Sequence, residues 1–390
     1  IIVATCAPSL GGRITMADTN THMAVGRICK FPDASQSIVE AYGSLFEKKV
    51  YLLVSLVVVL AILAIYSVIV GTYDLSIRAV MLSILGQDEG ASHIVIWRIR
   101  MPRIVAAMVS GWGLALSGVT MQSLLKNPLG SPFTLGISHG AAFGAAFAIV
   151  VLGAGSTQYG PLRTTASSLF TVSNIYLVTL AAFIGAMVST LAILFMARVK
   201  RLSPESIILA GVALSSLFVS GTILIQYVAT EVELASVVFW TFGDVSRSNW
   251  HEILILGIVT CGGTAYFLLN RWNLNAISAG EDVARGLGVD VERLRWWGML
   301  VAALVSALVV AFHGVIAFLG LLAPHIGRKL VGSDHRILLP HACVVGAILL
   351  LFADTAGRLL VGSGTLPVGV LTSFMGAPLF LYLLVGGRKQ

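Results

Sequence analysis

The sequence predicts an all-α, polytopic membrane protein with about ten transmembrane helices, and three observations carry that prediction. Apolar residues fill 57% of the 390 positions and charged residues only 11%, whereas a soluble domain wets its surface with roughly 25% charge. The mean hydropathy is +0.92. Forty glycines accompany only 11 prolines, which fits closely packed membrane helices better than a disordered low-complexity chain.

A polar tail, residues 1–47, comes first. It lacks the basic start, apolar core and small-residue cleavage site of a secretory signal. Met16 opens a more ordinary start than Ile1, so residues 1–15 read as upstream or misplaced-start sequence and the tail as disordered. Residues 48–390 read as one transmembrane domain. A helix needs about 20 residues to cross a hydrocarbon core of about 30 Å. Segments 50–70, 102–125, 133–152, 174–197, 206–228, 252–269, 295–313, 315–331, 338–360 and 366–385 meet or approach that length. The third is rich in small residues (GISHGAAFGAAFA) that let helices approach closely. The eighth is short and contains Pro324. The ninth places Asp354 four residues before Arg358, a spacing that pairs acid and base on one helix face.

Ten spans put both termini on one side. That side receives 18 of the 25 Lys and Arg, the other 7, so the positive-inside rule sets both termini in the cytoplasm. The net charge of +7 is therefore topological; the basic residues are scattered and no nucleic-acid motif accompanies them. Cys6, Cys29, Cys261 and Cys343 lie in no metal or redox spacing and read as reduced and unpaired.

Two connections exceed a plain turn: residues 71–101 outside and 270–294 inside. Within the inner one, SAGEDVARGLG (Ser278 to Gly288) reads as a short helix. Glu281 and Asp282 sit in its first turn, where the helix dipole favours acids, and Gly286 and Gly288 end it. Glu281 and Arg285 are spaced to pair. Such a helix either lies at the membrane surface or docks a cytoplasmic partner, and the residues alone leave both readings open.

Chemistry is sparse. There is no GxxxxGK[ST] phosphate loop, no HExxH and no Cys/His cluster with zinc spacing, so neither catalysis nor a metal or cofactor bound by this chain is expected. His139 and His325 fall inside or beside spans, where an ionisable group is a candidate for the transport pathway; His139 equally suits a hydrogen bond across a close helix interface. Asp354 is the one well-placed carboxylate, and it has a basic neighbour. The driving force is therefore expected from outside the chain, with a cation-coupled carrier and an intramembrane enzyme as the rival readings.

Several long stretches then match a known family in order. RIRMPRIVAAMVSGWGLALSGVTMQSLLKNPLGSPFTLGISHGAAFGA, SAGEDVARGLGV, GVIAFLGLLAPHIGRKLVGSDHRILLP, LLFADTAGRLL and LPVGVLTSFMGAPLFLYLL resemble the permease subunits of type II ABC importers for iron–siderophores, haem and cobalamin. The resemblance spans about residues 50–385. It implies a ten-span subunit pairing as a homodimer or close heterodimer. It also implies two cytoplasmic ATP-binding subunits that use the ATP, and an external substrate-binding protein that delivers a metal chelate, most often an iron–siderophore. By the same resemblance, Ser278, Gly280, Glu281, Asp282, Arg285, Gly286 and Gly288 form the element that couples to the ATPase. Arg100, Arg103 and Arg358 receive acidic side chains of the binding protein. Three departures stand out: Met101 in place of Leu, Gly130-Ser131 where an acid is usual, and Thr365 where an acid commonly precedes the last LPVG.

Overall fold

A computed structural model describes residues 33–71, 77–84, 90–154, 174–200, 203–360 and 366–386. No strand occurs among the described residues. In chain order the helices are α1 (Asp33–Ile69), α2 (Ile77–Ile84), α3 (Ala91–Ile94), a π-helical stretch (Val95–Arg100), α4 (Met101–Leu124), α5 (Ile137–Ala146, prolonged by a π-helical Phe147–Val151), α6 (Asn174–Lys200), α7 (Pro204–Tyr227) and α8 (Glu231–Thr241). They continue as α9 (Trp250–Leu269), α10 (Arg271–Ala279), α11 (Glu281–Gly286), α12 (Val291–His313), α13 (Leu319–Val331), α14 (His335–Leu360) and α15 (Val368–Gly386). By its internal contacts the chain divides after Lys48.

All ten apolar segments become helices. Seven are long and apolar enough to cross a membrane by length and composition. Two fall short of the expected spans for local reasons. The third starts only at Ile137, because Asn127, Pro128, Gly130 and Pro132 keep the preceding chain out of a helix and Gly136 (φ 75°) turns it left-handed. The eighth, α13, has 13 residues, about 20 Å, because Gly314 (φ 78°) and Phe318 (φ 63°) hold residues 314–318 outside any helix. The tenth, α15, keeps its expected length, with 19 residues from Val368 to Gly386. The second span corrects the expectation in the opposite sense. Its helix begins at Ala91 rather than residue 102, so Arg100 and Arg103 lie within it instead of at its mouth. Residues Asp33 to Glu47, assigned to the tail, belong to α1.

The surface is inverted relative to a soluble protein. Leu209, Leu217, Leu224, Ile62, Ile258 and Phe195 are each more than half exposed. Ser110, Ser117, Thr120, Ser123 and Ser306 are buried. Thr120 and Ser306 return their hydroxyls to their own helices, Thr120 to Leu116 O at 2.9 Å and Ser306 to Ala302 O at 2.7 Å, and Ser117 bridges to Ala302 O of α12 at 2.8 Å. Apolar side chains facing outward and hydrogen-bonded hydroxyls facing inward are what a lipid solvent selects.

α4 is the most enclosed helix: 19 of its 24 residues are buried, and it touches α9, α12, α13 and α14. Close approach explains its glycines. A Cβ on Gly111 would lie 2.7 Å from Gly346 C and 2.9 Å from Ala347 Cα of α14. α4 and α14 run antiparallel, since Arg103 at the start of one meets Asp354 near the end of the other, while Ser123 near the end of one meets His335 at the start of the other. The two meeting points are about 20 residues, hence about 30 Å, apart along either helix, the thickness of a hydrocarbon core.

Candidate functional site

The expected coupling residues gather at the His335 end of this helix pair. Ser278 does not belong to the short helix: it closes α10 and bonds Leu274 O at 3.0 Å. Gly280 (φ 142°) then breaks the chain, and α11 runs from Glu281 to Gly286. Val289 N donates to Ala284 O at 2.9 Å and Gly288 N to Arg285 O at 3.0 Å, the paired bonds of a Schellman end with Gly288 (φ 80°) in the left-handed position. Gly286 is the last helical residue, and an added Cβ there meets nothing within 4 Å. The two glycines therefore have different parts. Gly286→Ala is expected to be neutral or stabilising by about 0.5 kcal/mol. Gly288→Val is expected to destabilise the turn by about 1–2 kcal/mol, read as faster hydrogen exchange of residues 281–289.

Glu281 ties α11 down. One carboxylate oxygen bonds Arg295 of α12 and lies 4.0 Å from Lys126 Nζ, just beyond α4; the other lies 3.7 Å from Arg285. Arg295 also donates to Leu124 O at 3.2 Å, one of the orphan carbonyls ending α4. Asp282, Val283, Arg285 and Leu287 remain exposed around this anchor, with Ala284 buried beneath. A cavity of about 940 Å³ opens beside it, lined by Arg198, Ser203, Glu281, Arg285, Arg295 and Trp296 among others.

Asp334 precedes α14 and was not singled out by sequence reasoning. It accepts from Arg336 Nε and Nη2 at 3.0 and 2.9 Å and from Asn275 Nδ2 at 2.9 Å. Burial alone would raise its carboxyl, but the bonds from Arg336 and Asn275 outweigh burial and hold it at about 2. A group held below its ordinary value stabilises the fold above that value, near 4, and the stabilisation fades only as pH falls towards 2. The link is thus intact across the whole neutral range. Arg336 also lies 4.6 Å over the Trp272 ring of α10.

The three arginines expected at the outer face turn inward instead. Arg103 Nε bonds Asp354 Oδ1 at 2.8 Å, and Arg358 Nε lies 3.4 Å from Asp354 Oδ2. Arg358 also donates to Ser67 O and Val70 O, both at 3.1 Å, and to Ser67 Oγ. Arg100 donates to Val68 O at 2.5 Å and Ile69 O at 2.9 Å. The carbonyls of Ser67, Val68 and Ile69 belong to the last turn of α1 and Val70 O follows it directly, at the negative end of the helix dipole, where cations are favoured. The intrahelical Asp354–Arg358 pair read from spacing is present, yet the shorter bond is to Arg103, 251 positions away. All three arginines are less than a tenth exposed. The cluster joins α1, α4 and α14 and carries three guanidiniums against one carboxylate.

His139 is half-buried near the start of α5, its ring 4.7 Å from Phe133. Its Nδ1 has no hydrogen-bond partner among the described residues. His325 is half-buried in α13, directly after Pro324. No group of three or more His, Cys, Asp or Glu positioned to hold a metal occurs among the described residues. Cys261 and Cys343 are free; Cys6, Cys29 and Thr365 lie outside the described residues.

Comparison with known proteins agrees with this architecture. The chain is 46% identical over 353 residues to a Methanocaldococcus jannaschii protein named "Putative ABC transporter permease protein", covering 90% of this chain and 99% of the relative. It is 35% identical to the Fe(3+)-citrate import system permease of Bacillus subtilis (86% of this chain, 95% of the relative). It is 36% identical to the vitamin B12 import system permease of Vibrio vulnificus (86% and 93%). A solved structure described as "An inward-facing conformation of a putative metal-chelate type ABC transporter" superposes with a TM-score of 0.73 at 33% identity, covering 86% of this chain and 99% of that one. Residues 59–386 match the model of the FecCD transport family. The family model covers most of the chain, and this chain therefore belongs to the FecCD transport family and is a permease of the ABC importer kind.

Proposed function

We propose that this permease carries a metal chelate, an iron–siderophore ahead of haem or cobalamin, across the inner membrane of a prokaryote, driven by ATP hydrolysed on two cytoplasmic subunits. The cargo is handed over by an external substrate-binding protein, and a second copy of the chain completes the pathway. The reading is carried by the α10–α11 pair. A short helix bound to α12 and α4 through Glu281, and leaving Val283, Arg285 and Leu287 exposed, offers a foothold for an ATPase. The Lys and Arg bias, 18 against 7, favours the cytoplasm for this end and for both termini. The relatives named for iron citrate and vitamin B12 support a chelate cargo, since both enclose a metal ion in an organic ligand. A cation-coupled carrier is disfavoured. The buried acids among the described residues are Glu252, which caps α9, and Asp354, which is held by two arginines, so neither is available to a driving ion.

The arginine cluster keeps a part in docking through its field. Three cations and one anion at the outer end attract an acidic partner without releasing their internal bonds, and such steering acts mainly on association rate. His139 keeps a proposed place in the pathway, supported by its buried Nδ1, which has no hydrogen-bond partner among the described residues.

Orientation is tested by labelling in a background lacking the native cysteines. Ser246→Cys is expected to react with an impermeant maleimide from outside, and Leu287→Cys only after permeabilisation; the reverse pattern contradicts the topology. The same Leu287→Cys is expected to cross-link to an engineered cysteine in the ATP-binding subunit. Mass spectrometry of the ligand retained by the purified binding protein decides the cargo.

A further inference from the structure

One polar chain links the helix pair to the membrane helices, and nothing in the coupling element itself requires it. Asn275 of α10 donates from Nδ2 to Asp334 Oδ1 at 2.9 Å. Its Oδ1 faces two groups of His335, the backbone N at 2.8 Å and Nδ1 at 2.7 Å. His335 Nε2 lies 2.6 Å from Ser123 Oγ of α4. Only one orientation of the Asn275 amide satisfies this set. The NH₂ must face the carboxylate, so Oδ1 accepts both from the His335 backbone and from an Nδ1–H, which leaves Nε2 to accept the one proton of the Ser123 hydroxyl in preference to Val119 O, 2.8 Å from the same oxygen. Asp334 thereby fixes Asn275, Asn275 fixes the His335 tautomer, and His335 draws on Ser123. Asn275 is flanked by Leu274, Ala276 and Ile277, each less than a tenth exposed, so the joint is held among packed side chains. Such networks act as units, and a partly satisfied one costs more than its missing bond.

We propose that Asn275 is the positioning residue through which the α10–α11 pair moves α4 and α14, so that displacement of the helix pair at the ATPase shifts the two most tightly joined membrane helices together. This rests on the importer reading above. α11 supplies the contact surface; Asn275 supplies the stiffness between that surface and the helices. An apolar contact would slide under load, whereas three directed bonds from one amide fix α10 in both rotation and register.

The test uses the assembled transporter, permease with its ATP-binding subunits, in nanodiscs. The readout is the ratio of ATP hydrolysis with the substrate-binding protein to hydrolysis without it. Asn275→Asp replaces the NH₂ with an oxygen facing the Asp334 carboxylate at hydrogen-bond distance, so a donor becomes a repelling charge. The ratio is expected to fall at least fivefold, while the ATP-binding subunits still co-purify at wild-type stoichiometry. Adding Asp334→Asn restores a donor to that contact with its direction reversed, and is expected to recover at least half of the lost ratio. A merely structural role predicts no such reciprocal rescue. An unchanged ratio in Asn275→Asp overturns the proposal, as does a loss that Asp334→Asn deepens or leaves as it is. If the wild-type chain retains no ATP-binding subunit, or its hydrolysis ignores the binding protein, the importer reading itself fails and the proposal with it.

Discussion

Asp354→Asn is expected to destabilise the protein by about 3–5 kcal/mol. Asp354 is 1% exposed and lies between Arg103 and Arg358, the former at 2.8 Å and the latter at 3.4 Å. Removing its charge leaves two guanidiniums side by side in a nearly dry site, and breaking one partner of a buried pair costs about this much. The three arginines do not fare equally. Arg100 and Arg358 keep the α1 carbonyls, whereas Arg103 bonds Asp354 alone among the described residues. The double variant Asp354→Leu with Arg103→Met is therefore expected to be more stable than Asp354→Leu alone, because buried ion pairs are often replaceable as a unit. Denaturant titration of the detergent-solubilised protein measures both. A loss below about 1 kcal/mol for Asp354→Asn would place the cluster in bulk water and contradict its role as the clamp on α1, α4 and α14.

Gly346→Leu and Gly111→Leu are each expected to prevent folding. At Gly346 an added Cβ lies 2.5 Å from the Ala115 Cβ and 3.1 Å from the Gly111 carbonyl carbon, so a side chain there must drive α4 from α14. Side chains overfilling a well-packed core cost about 1–3 kcal/mol. Here the obstacle is largely backbone, which cannot rotate aside, so the upper end of that range or beyond is expected. Separation would also strain the Arg103–Asp354 and Ser123–His335 contacts that pin the pair at its two ends. Gly262→Ala serves as the control, since nothing lies within 4 Å of its added Cβ. The measurement is the yield of monodisperse protein after extraction. Wild-type yield and stability in Gly346→Leu would show that the two helices are not in backbone contact.

Composition and length were enough to locate the ten helices because a lipid solvent selects on exactly those two properties over windows of about 20 residues. They misplaced the ends. The second helix runs on from Ala91 because two arginines, poor residues for a span by composition, are neutralised inside it by Asp354 and by the carbonyls of α1. The third and eighth fall short because left-handed residues at Gly136, Gly314 and Phe318 interrupt the chain, and Phe318 gives no sign of this in its side chain. α11 was legible from its acids and glycines, although Ser278 proved to close the preceding helix. What stayed hidden was every contact between distant segments. The Asp354–Arg358 spacing was readable, but the shorter bond reaches Arg103. Nothing local links Asn275 to Asp334, or Glu281 to Arg295 and Lys126. One signal was available. Three arginines and a single acid near span ends cannot all stay uncompensated in a low dielectric, which pointed to internal acceptors before any docking partner was invoked.

The central claim is that transport through this chain is powered by ATP on a separate subunit, and uptake into proteoliposomes tests it most directly. The permease is reconstituted with its ATP-binding subunits, ATP is enclosed, and the binding protein is added outside with a radiolabelled iron(III)–siderophore. The account predicts uptake that needs both enclosed ATP and the binding protein, and that a proton or sodium gradient cannot replace. Uptake driven by an ion gradient in vesicles containing this chain alone would contradict it.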